Sequence, residues 1–102
     1  MKSVVLITGA SKGLGRHLAK KFEDEGHLVY RHMGKKHFDL RKRSEIIALS
    51  QEAKSNGVTT LINNAAITCP GISFREYETN EIDEMIKVNL LAPILLVLEL
   101  EN

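Results

Sequence analysis

The sequence predicts an α/β fold, a parallel sheet wound on both faces by helices. Two observations predict it. Short apolar runs at residues 4–7, 28–30 and 58–62 alternate with longer stretches whose apolar residues recur at helical spacing. The first run also passes through three glycines, Gly9, Gly13 and Gly15, directly into one of those stretches. A strand, a glycine turn and a helix in immediate succession form the opening unit of such a fold.

Val4-Val5-Leu6-Ile7 is apolar throughout and mostly β-branched, which suits a strand buried on both faces. A helix is expected over residues 14–25. Leu14, Leu18, Ala19 and Phe22 form its apolar side, Arg16, His17, Lys20 and Lys21 lie between them, and Gly26 ends it. The loop between strand and helix has a chemical use. A helix start leaves about four backbone N–H groups unpaired and carries positive partial charge, so it holds a phosphate. Gly9 can make the turn, Gly13 can let the backbone approach a pyrophosphate, and Gly15 can let the helix pack closely on the strand. Thr8, Ser11 and Lys12 add polar groups at the mouth. The spacing is G-x-x-x-G-x-G rather than G-x-G-x-x-G, and no Gly-Lys-Ser or Gly-Lys-Thr follows it, which excludes a Walker loop. A tight turn with no ligand is the competing reading.

The second strand, 28–30, ends at Arg31 and His32, with no acidic residue to hold a ribose 2′-hydroxyl. Arg31, His32 and Lys12 instead offer cations that suit a 2′-phosphate, unless the first two are solvated loop residues. A basic connection, 33–37, leads to a very short third strand expected at His37 and Phe38, followed by Asp39-Leu40. Residues 41–55 read as a helix with Ile46, Ile47, Leu49 and Ala53 on its apolar face, ended by Asn56-Gly57. The fourth strand, 58–62, runs into Asn63-Asn64-Ala65-Ala66. After a loop over 68–78 containing Pro70 and Gly71, Thr79 is the expected N-cap of a helix that continues through Ile82, Met85, Ile86, Asn89 and Leu90.

Thr8-Gly9-Ala10-Ser11-Lys12-Gly13-Leu14-Gly15 resembles the T-G-x-x-x-G-x-G cofactor loop of the short-chain dehydrogenase/reductase family. Asn63-Asn64-Ala65-Ala66 resembles its N-N-A-G, with Ala66 placing a Cβ where the family has glycine, and Val88-Asn89-Leu90 resembles its mid-helix V-N-L. The resemblance runs along the whole chain but matches only the front portion of a family domain. It implies a Rossmann-like, doubly wound sheet of about four strands in the order 3-2-1-4, so residues 1–102 are expected to be a single partial NAD(P)-binding domain. It implies an NAD(P)(H)-dependent oxidoreductase whose cofactor is NADP, with NAD as the alternative, because a basic residue before the second glycine, here Lys12, goes with NADP(H). It places Thr8, Gly9, Ser11, Lys12, Gly13, Leu14, Gly15, Arg31, His32, Asp39, Leu40, Asn63, Asn64, Ala65 and Ala66 at the cofactor. Asp39 falls where the family contacts the adenine amino group, unless it only starts the next helix. The resemblance also implies that Asn89 is a supporting catalytic residue that bends its helix.

The family's catalytic serine and Y-x-x-x-K pair have no match: four residues after Tyr30 stands Gly34, and four after Tyr77 stands Glu81. Two classes therefore stay open, the cofactor part of an oxidoreductase, or a naturally shortened, non-catalytic dinucleotide-binding or assembly module. With 102 residues and a net charge of +1, the chain suggests one small domain and no bulk field toward nucleic acid or membrane. Arg41, Lys42 and Arg43 lack interleaved aromatics and read as a solvated helix start. The single cysteine, Cys69, excludes an internal disulfide and fits the cytoplasm, and neither a signal peptide nor a membrane span is expected. The four histidines are scattered, no metal site is indicated, and surface solubility is their expected use. Leu90, Leu91, Ile94, Leu95, Leu96, Val97 and Leu98 make the last helix apolar almost all round. Together with an open edge on the fourth strand, that predicts a homodimer.

Overall fold

The computed structural model describes residues 2–68 and 76–102. Its elements are β1 (Val4–Ile7), α1 (Gly13–Asp24), β2 (Leu28–Arg31), α2 (Arg43–Ser55), β3 (Thr60–Ile62), α3 (Thr79–Ile86) and α4 (Ala92–Glu101), in that order. A π-helical turn over Lys87–Leu91 joins the last two helices. Cys69, Pro70 and Gly71 of the expected loop lie outside the described residues.

β1 occupies the middle of the sheet because both of its faces are apolar. It pairs in parallel with β2, Leu6 opposite Tyr30, and with β3, Leu6 opposite Leu61. Successive strand residues point to opposite faces, so β1 feeds two cores. Val5 and Ile7 pack with Ala19 of α1, and Leu18 and Phe22 close over them. Leu6 points the other way, onto Ile46, Leu49 and Ala53 of α2 and Ala92, Leu95 and Leu96 of α4. Each large aliphatic side chain so buried contributes roughly 1.5–3 kcal/mol relative to exposure. The sheet is therefore wound on both faces, as the alternation of elements predicts.

The described sheet has three strands in the order β2-β1-β3, with β3 filling the place expected of a fourth strand. The short strand expected at His37 and Phe38 is instead a turn. Gly34, at φ 91°, reverses the chain, and its carbonyl accepts from the N–H groups of His37 (3.0 Å) and Phe38 (3.1 Å). The Phe38 carbonyl is in turn taken by the His32 side chain, so the backbone groups that a strand needs are already occupied.

Three boundaries also differ from expectation. α2 starts at Arg43, because Asp39 caps a turn in which the Lys42 N–H donates to its carbonyl. The N-cap of α3 is Glu78 rather than Thr79, and Glu81 reaches back to accept from the Glu78 N–H at 3.1 Å. The final helix is interrupted. Pro93 has no N–H and its ring collides with the carbonyl four residues back. The chain widens by one residue just before it, so that the Ala92 N–H donates to the Lys87 carbonyl. Leu14, expected on the packed side of α1, is 65% exposed, because Gly15 and Ala19 form the buried stripe one position away.

Candidate functional site

The carboxyl ends of β1 and β3 open onto a cleft of about 600 Å³. Gly9, Ser11, Lys12 and Gly13 line one wall, and Asn64, Ala65 and Ala66 another. Asp39 and Leu40 come in from the β2–α2 connection. This is the switch point of the sheet, where the connections that leave β1 and β3 go to opposite faces and open α/β sheets take their ligands.

The three glycines have three distinct environments. Gly9 has φ +66°, and a Cβ there would sit 2.9 Å from the Ala65 Cα. Gly15 sits on the carbonyl of Gly9, where a Cβ would come within 2.2 Å of that oxygen and 2.4 Å of the Asn64 Nδ2. Both allow backbone to lie against backbone. Gly13, at φ +58°, has nothing within 4 Å of its would-be Cβ. It faces open space at the first residue of α1, flanked by Lys12 and Ser11, where helix N–H groups and dipole favour an anion.

Thr8 and Asn64 tie the strand ends together. The buried Thr8 Oγ1 accepts from the N–H groups of Asn64 and Ala65, both at 3.0 Å. The Asn64 Nδ2 donates back to the carbonyls of Thr8 and Gly9, both at 3.1 Å. Thr8 is therefore turned inward and supports the loop from beneath, rather than standing at its mouth.

Across the cleft, Asp39 accepts from Arg41 through its backbone N–H (3.0 Å), its Nε (3.0 Å) and its Nη2 (2.8 Å). The Arg41 Nη1 reaches Glu84 of α3 at 3.0 Å. The Arg41 guanidinium, aided by the backbone N–H, pulls the Asp39 carboxyl down to about 2, against a smaller opposing effect of burial. One arginine thus ties two carboxylates into the wall, and ties the β2–α2 connection to α3.

Several residues expected at the cofactor lie elsewhere. Arg31 is paired with Glu23 and lies in a separate hollow with Arg16, His17 and Lys20, Gly13 forming the shared wall. His32 is 2% exposed and presents no cation to the cleft: its Nδ1 accepts from the Gly9 N–H at 3.0 Å, and its Nε2–H donates to the Phe38 carbonyl at 2.7 Å. That pattern requires the neutral ring, and burial is the main cause holding its pKa below the ordinary histidine value. Asn63 and Leu14 are exposed and do not line the cleft. Asn89, inside the π-helical turn, closes a double hydrogen bond with Ile67, whose N–H and carbonyl it engages at 2.8 Å each. It clamps the segment after β3 against the bent helix. The histidines are not surface solubilisers as a group, since His27 also accepts from the Ser3 N–H at 3.1 Å and His37 from the Met33 N–H at 3.1 Å.

Lys35 and Gly34 line the cleft unforeseen, as do Arg41, Glu84 and Val88. The signal for Lys35 was its place in the basic connection after β2, which the turn at Gly34 swings toward Ser11.

The sequence profile of the short chain dehydrogenase family matches residues 31–101. The chain belongs to the short-chain dehydrogenase family. Nodulation protein G of Rhizobium sp. is 33% identical to it over 116 residues, which covers 95% of this chain and 47% of that protein. Ketoacyl reductase HetN of Nostoc sp. is 34% identical over 110 residues, covering 86% of this chain and 38% of that protein. Among solved structures, a 3-ketoacyl-(acyl-carrier-protein) reductase from Brucella melitensis complexed with NADH has a TM-score of 0.86 at 27% identity, over 96% of this chain and 48% of that one. A short-chain dehydrogenase from Sphingobium yanoikuyae in complex with NADPH shares the fold, with a TM-score of 0.81 at 23% identity over 96% of this chain and 46% of that one. This short-chain dehydrogenase chain spans about half the length of the relatives it matches, or less.

Proposed function

We propose that this short-chain dehydrogenase chain is the dinucleotide-binding part of an NAD(P)(H)-dependent oxidoreductase, folded as one partial domain, and that it prefers NADP(H). The observation that carries the reading is Gly13: a left-handed residue at the start of α1, open above its backbone, between the two close-packed glycines that shape the loop. The residues around it fit a dinucleotide. Ser11, Lys12 and Gly13 would hold the pyrophosphate, Asp39 and Leu40 the adenine side, and Asn64, Ala65 and Ala66 the nicotinamide side. The bound nicotinamide would supply hydride transfer. The relatives from Brucella melitensis and Sphingobium yanoikuyae carry NADH and NADPH respectively.

The preference for a 2′-phosphate rests on charge. Lys12 and Lys35 line the cleft, whereas Arg41 is committed to Asp39 and Glu84 and so offers little net charge. No carboxylate stands directly after β2, over residues 32–38, to receive a ribose hydroxyl, and Asp39 further on is engaged by Arg41.

Two further readings complete the proposal. The chain forms a homodimer, because Leu90, Leu91, Ile94, Val97 and Leu98 are exposed along the last helical segment and the outer edge of β3 pairs with no strand among the described residues. It resides in the cytoplasm, which suits one cysteine in 102 residues.

Calorimetric titration with NADPH and NADH tests the reading, with Gly13→Val as control. NADPH is expected to bind more tightly, and the valine is expected to fill the open space and abolish binding in a folded protein. Equal affinities reject the charge argument, and a wild-type chain that binds neither form rejects the cofactor. Reductase turnover by the chain alone is not expected. Neither Tyr30, followed four residues on by Gly34, nor Tyr77, followed by Glu81, forms the Tyr-x-x-x-Lys pair, and Tyr30 does not line the cleft.

A further inference from the structure

His32 spends every polar group it has on one task. Its N–H donates to the Ile7 carbonyl at 3.0 Å, and its carbonyl accepts from the Ala10 N–H at 2.8 Å. Its Nδ1 accepts from the Gly9 N–H at 3.0 Å, and its Nε2–H donates to the Phe38 carbonyl at 2.7 Å. The first three bonds flank the start of the glycine loop and the fourth ties that loop to the turn over residues 34–38, which brings Lys35 to the cleft. Gly9 needs such a partner. Successive N–H groups along β1 alternate between its neighbours: the Thr8 N–H donates to the Ile62 carbonyl on the β3 side, so the Gly9 N–H falls on the β2 side, where the His32 carbonyl is already taken by the Ala10 N–H and the His32 side chain supplies the acceptor.

We propose that His32 is a positioning residue of the phosphate-binding loop, holding Gly9 through its unprotonated Nδ1, so that proton uptake by the ring releases the loop and weakens dinucleotide binding. The proposal rests on the dinucleotide reading above. Protonation converts Nδ1 from acceptor to donor and sets two N–H groups against each other. Among titratable groups, His37 faces the ring directly, stacked at 5.9 Å with planes 17° apart, and opposes a second charge there. Tyr30 also stacks on His37, at 6.1 Å. The Asp39 carboxylate is turned to Arg41. The glycine loop presents only backbone at Gly9 and Ala10, and the carbonyls of Phe38 and Gly34 pull the other way without outweighing burial. The ring is thus neutral at neutral pH, and the pin is lost as pH falls below the ordinary histidine range.

Two measurements on the whole chain test this. In an ¹⁵N-labelled sample taken from pH 7.5 to 5, the Gly9 amide and the His32 ring nitrogens are expected to titrate together, with Nδ1 unprotonated at the start. NADPH affinity over the same range is expected to fall roughly five- to tenfold in wild type, the effect of one lost hydrogen bond. In His32→Gln the carboxamide accepts and donates without titrating, so the variant is expected to hold affinity within about threefold at pH 7.5 and to lose the acid limb. Protonation of the NADPH phosphate is common to both proteins and cancels in the difference. His32→Leu, with no acceptor for Gly9, is expected to bind roughly tenfold more weakly at pH 7.5. An unchanged acid limb in His32→Gln, or a Gly9 amide indifferent to the ring, overturns the proposal. Should the glutamine variant fail to fold, as circular dichroism would report, the joint titration in wild type decides alone. A chain that binds no NADPH at any pH, yet shows Gly9 titrating with His32, refutes the dinucleotide reading while sustaining the pin.

Discussion

Replacing Gly15 with alanine should unfold much of this protein's stability, although the same exchange in an ordinary helix adds about 1 kcal/mol. Gly15 is helical and has no positive φ, so propensity alone predicts a gain. Packing predicts the reverse. The new Cβ would lie 2.2 Å from the Gly9 carbonyl oxygen and 2.4 Å from the Asn64 Nδ2. Neither neighbour is the free end of a flexible chain. Gly9 is held at φ +66° against Ala65, and the Asn64 amide is bonded to Thr8 and Gly9. Relief requires α1 to lift from β1 or the two Asn64 bonds to break. Overpacking costs about 1–3 kcal/mol, and two hydrogen bonds add about 1 kcal/mol each. Set against the gain in propensity, the net loss is about 2–4 kcal/mol. At roughly 4–8 °C per kcal/mol for a domain near this size, that is a fall in Tm of at least about 8 °C. Thermal and urea unfolding followed by circular dichroism would measure it. Gly13→Ala is the comparison, since its Cβ meets nothing and its cost is limited to about 1–2 kcal/mol for the left-handed backbone. A Gly15→Ala chain as stable as wild type would refute the assignment of this glycine to close packing.

Three other outcomes are expected. Lys12→Ala and Lys35→Ala should each narrow the preference for NADPH over NADH by lowering NADPH affinity, read by calorimetry in low salt, and a preference untouched by both would remove the two lysines from the 2′-phosphate. Asp39→Asn should destabilise the chain by roughly 1.5–3 kcal/mol at neutral pH, as a charged hydrogen-bond network loses its anion. In wild type the same contribution is complete above the ordinary carboxylate pKa and disappears as pH falls toward about 2, so the variant should show a flatter acid unfolding curve. Light scattering should report a dimer at micromolar concentration that Ile94→Glu or Leu98→Glu converts to monomer, whereas monodisperse wild-type monomer contradicts the exposed helix face as a subunit contact.

How far the site was legible depended on whether a residue's role is set by its backbone or by its neighbours. The turn at Gly9 and the close contact at Gly15 could be read because both follow from spacing between a strand and a helix, and Gly13, expected where a ligand approaches, has open space above it. Asn64, expected at the cofactor from the family resemblance, lines the cleft and ties the ends of β1 and β3 together. The surroundings of Arg31 and His32 were not legible, because a charge after a strand looks the same in sequence whether it faces ligand, an acidic partner or the interior. Glu23 lies eight residues back on α1 and neutralises Arg31, while Gly9 and Phe38 enclose His32.

By itself the sequence determined the alternation of buried strands and amphipathic helices, the central place of β1, the phosphate-suited loop and the resemblance to its family. These follow from local pattern: apolar run length, helical periodicity and glycine spacing. Only the tertiary structure decided that His37 and Phe38 turn instead of pairing, that the last helix opens into a π-helical turn before Pro93, and that Lys35 rather than His32 brings charge to the cleft. Local causes start these outcomes, Gly34 in the turn and Pro93 in the helix, but contacts with more distant side chains fix them, His32 on the Phe38 carbonyl and Asn89 on Ile67. A buried N–H or carbonyl must be satisfied, but the pattern of residues along a chain does not say by which distant side chain.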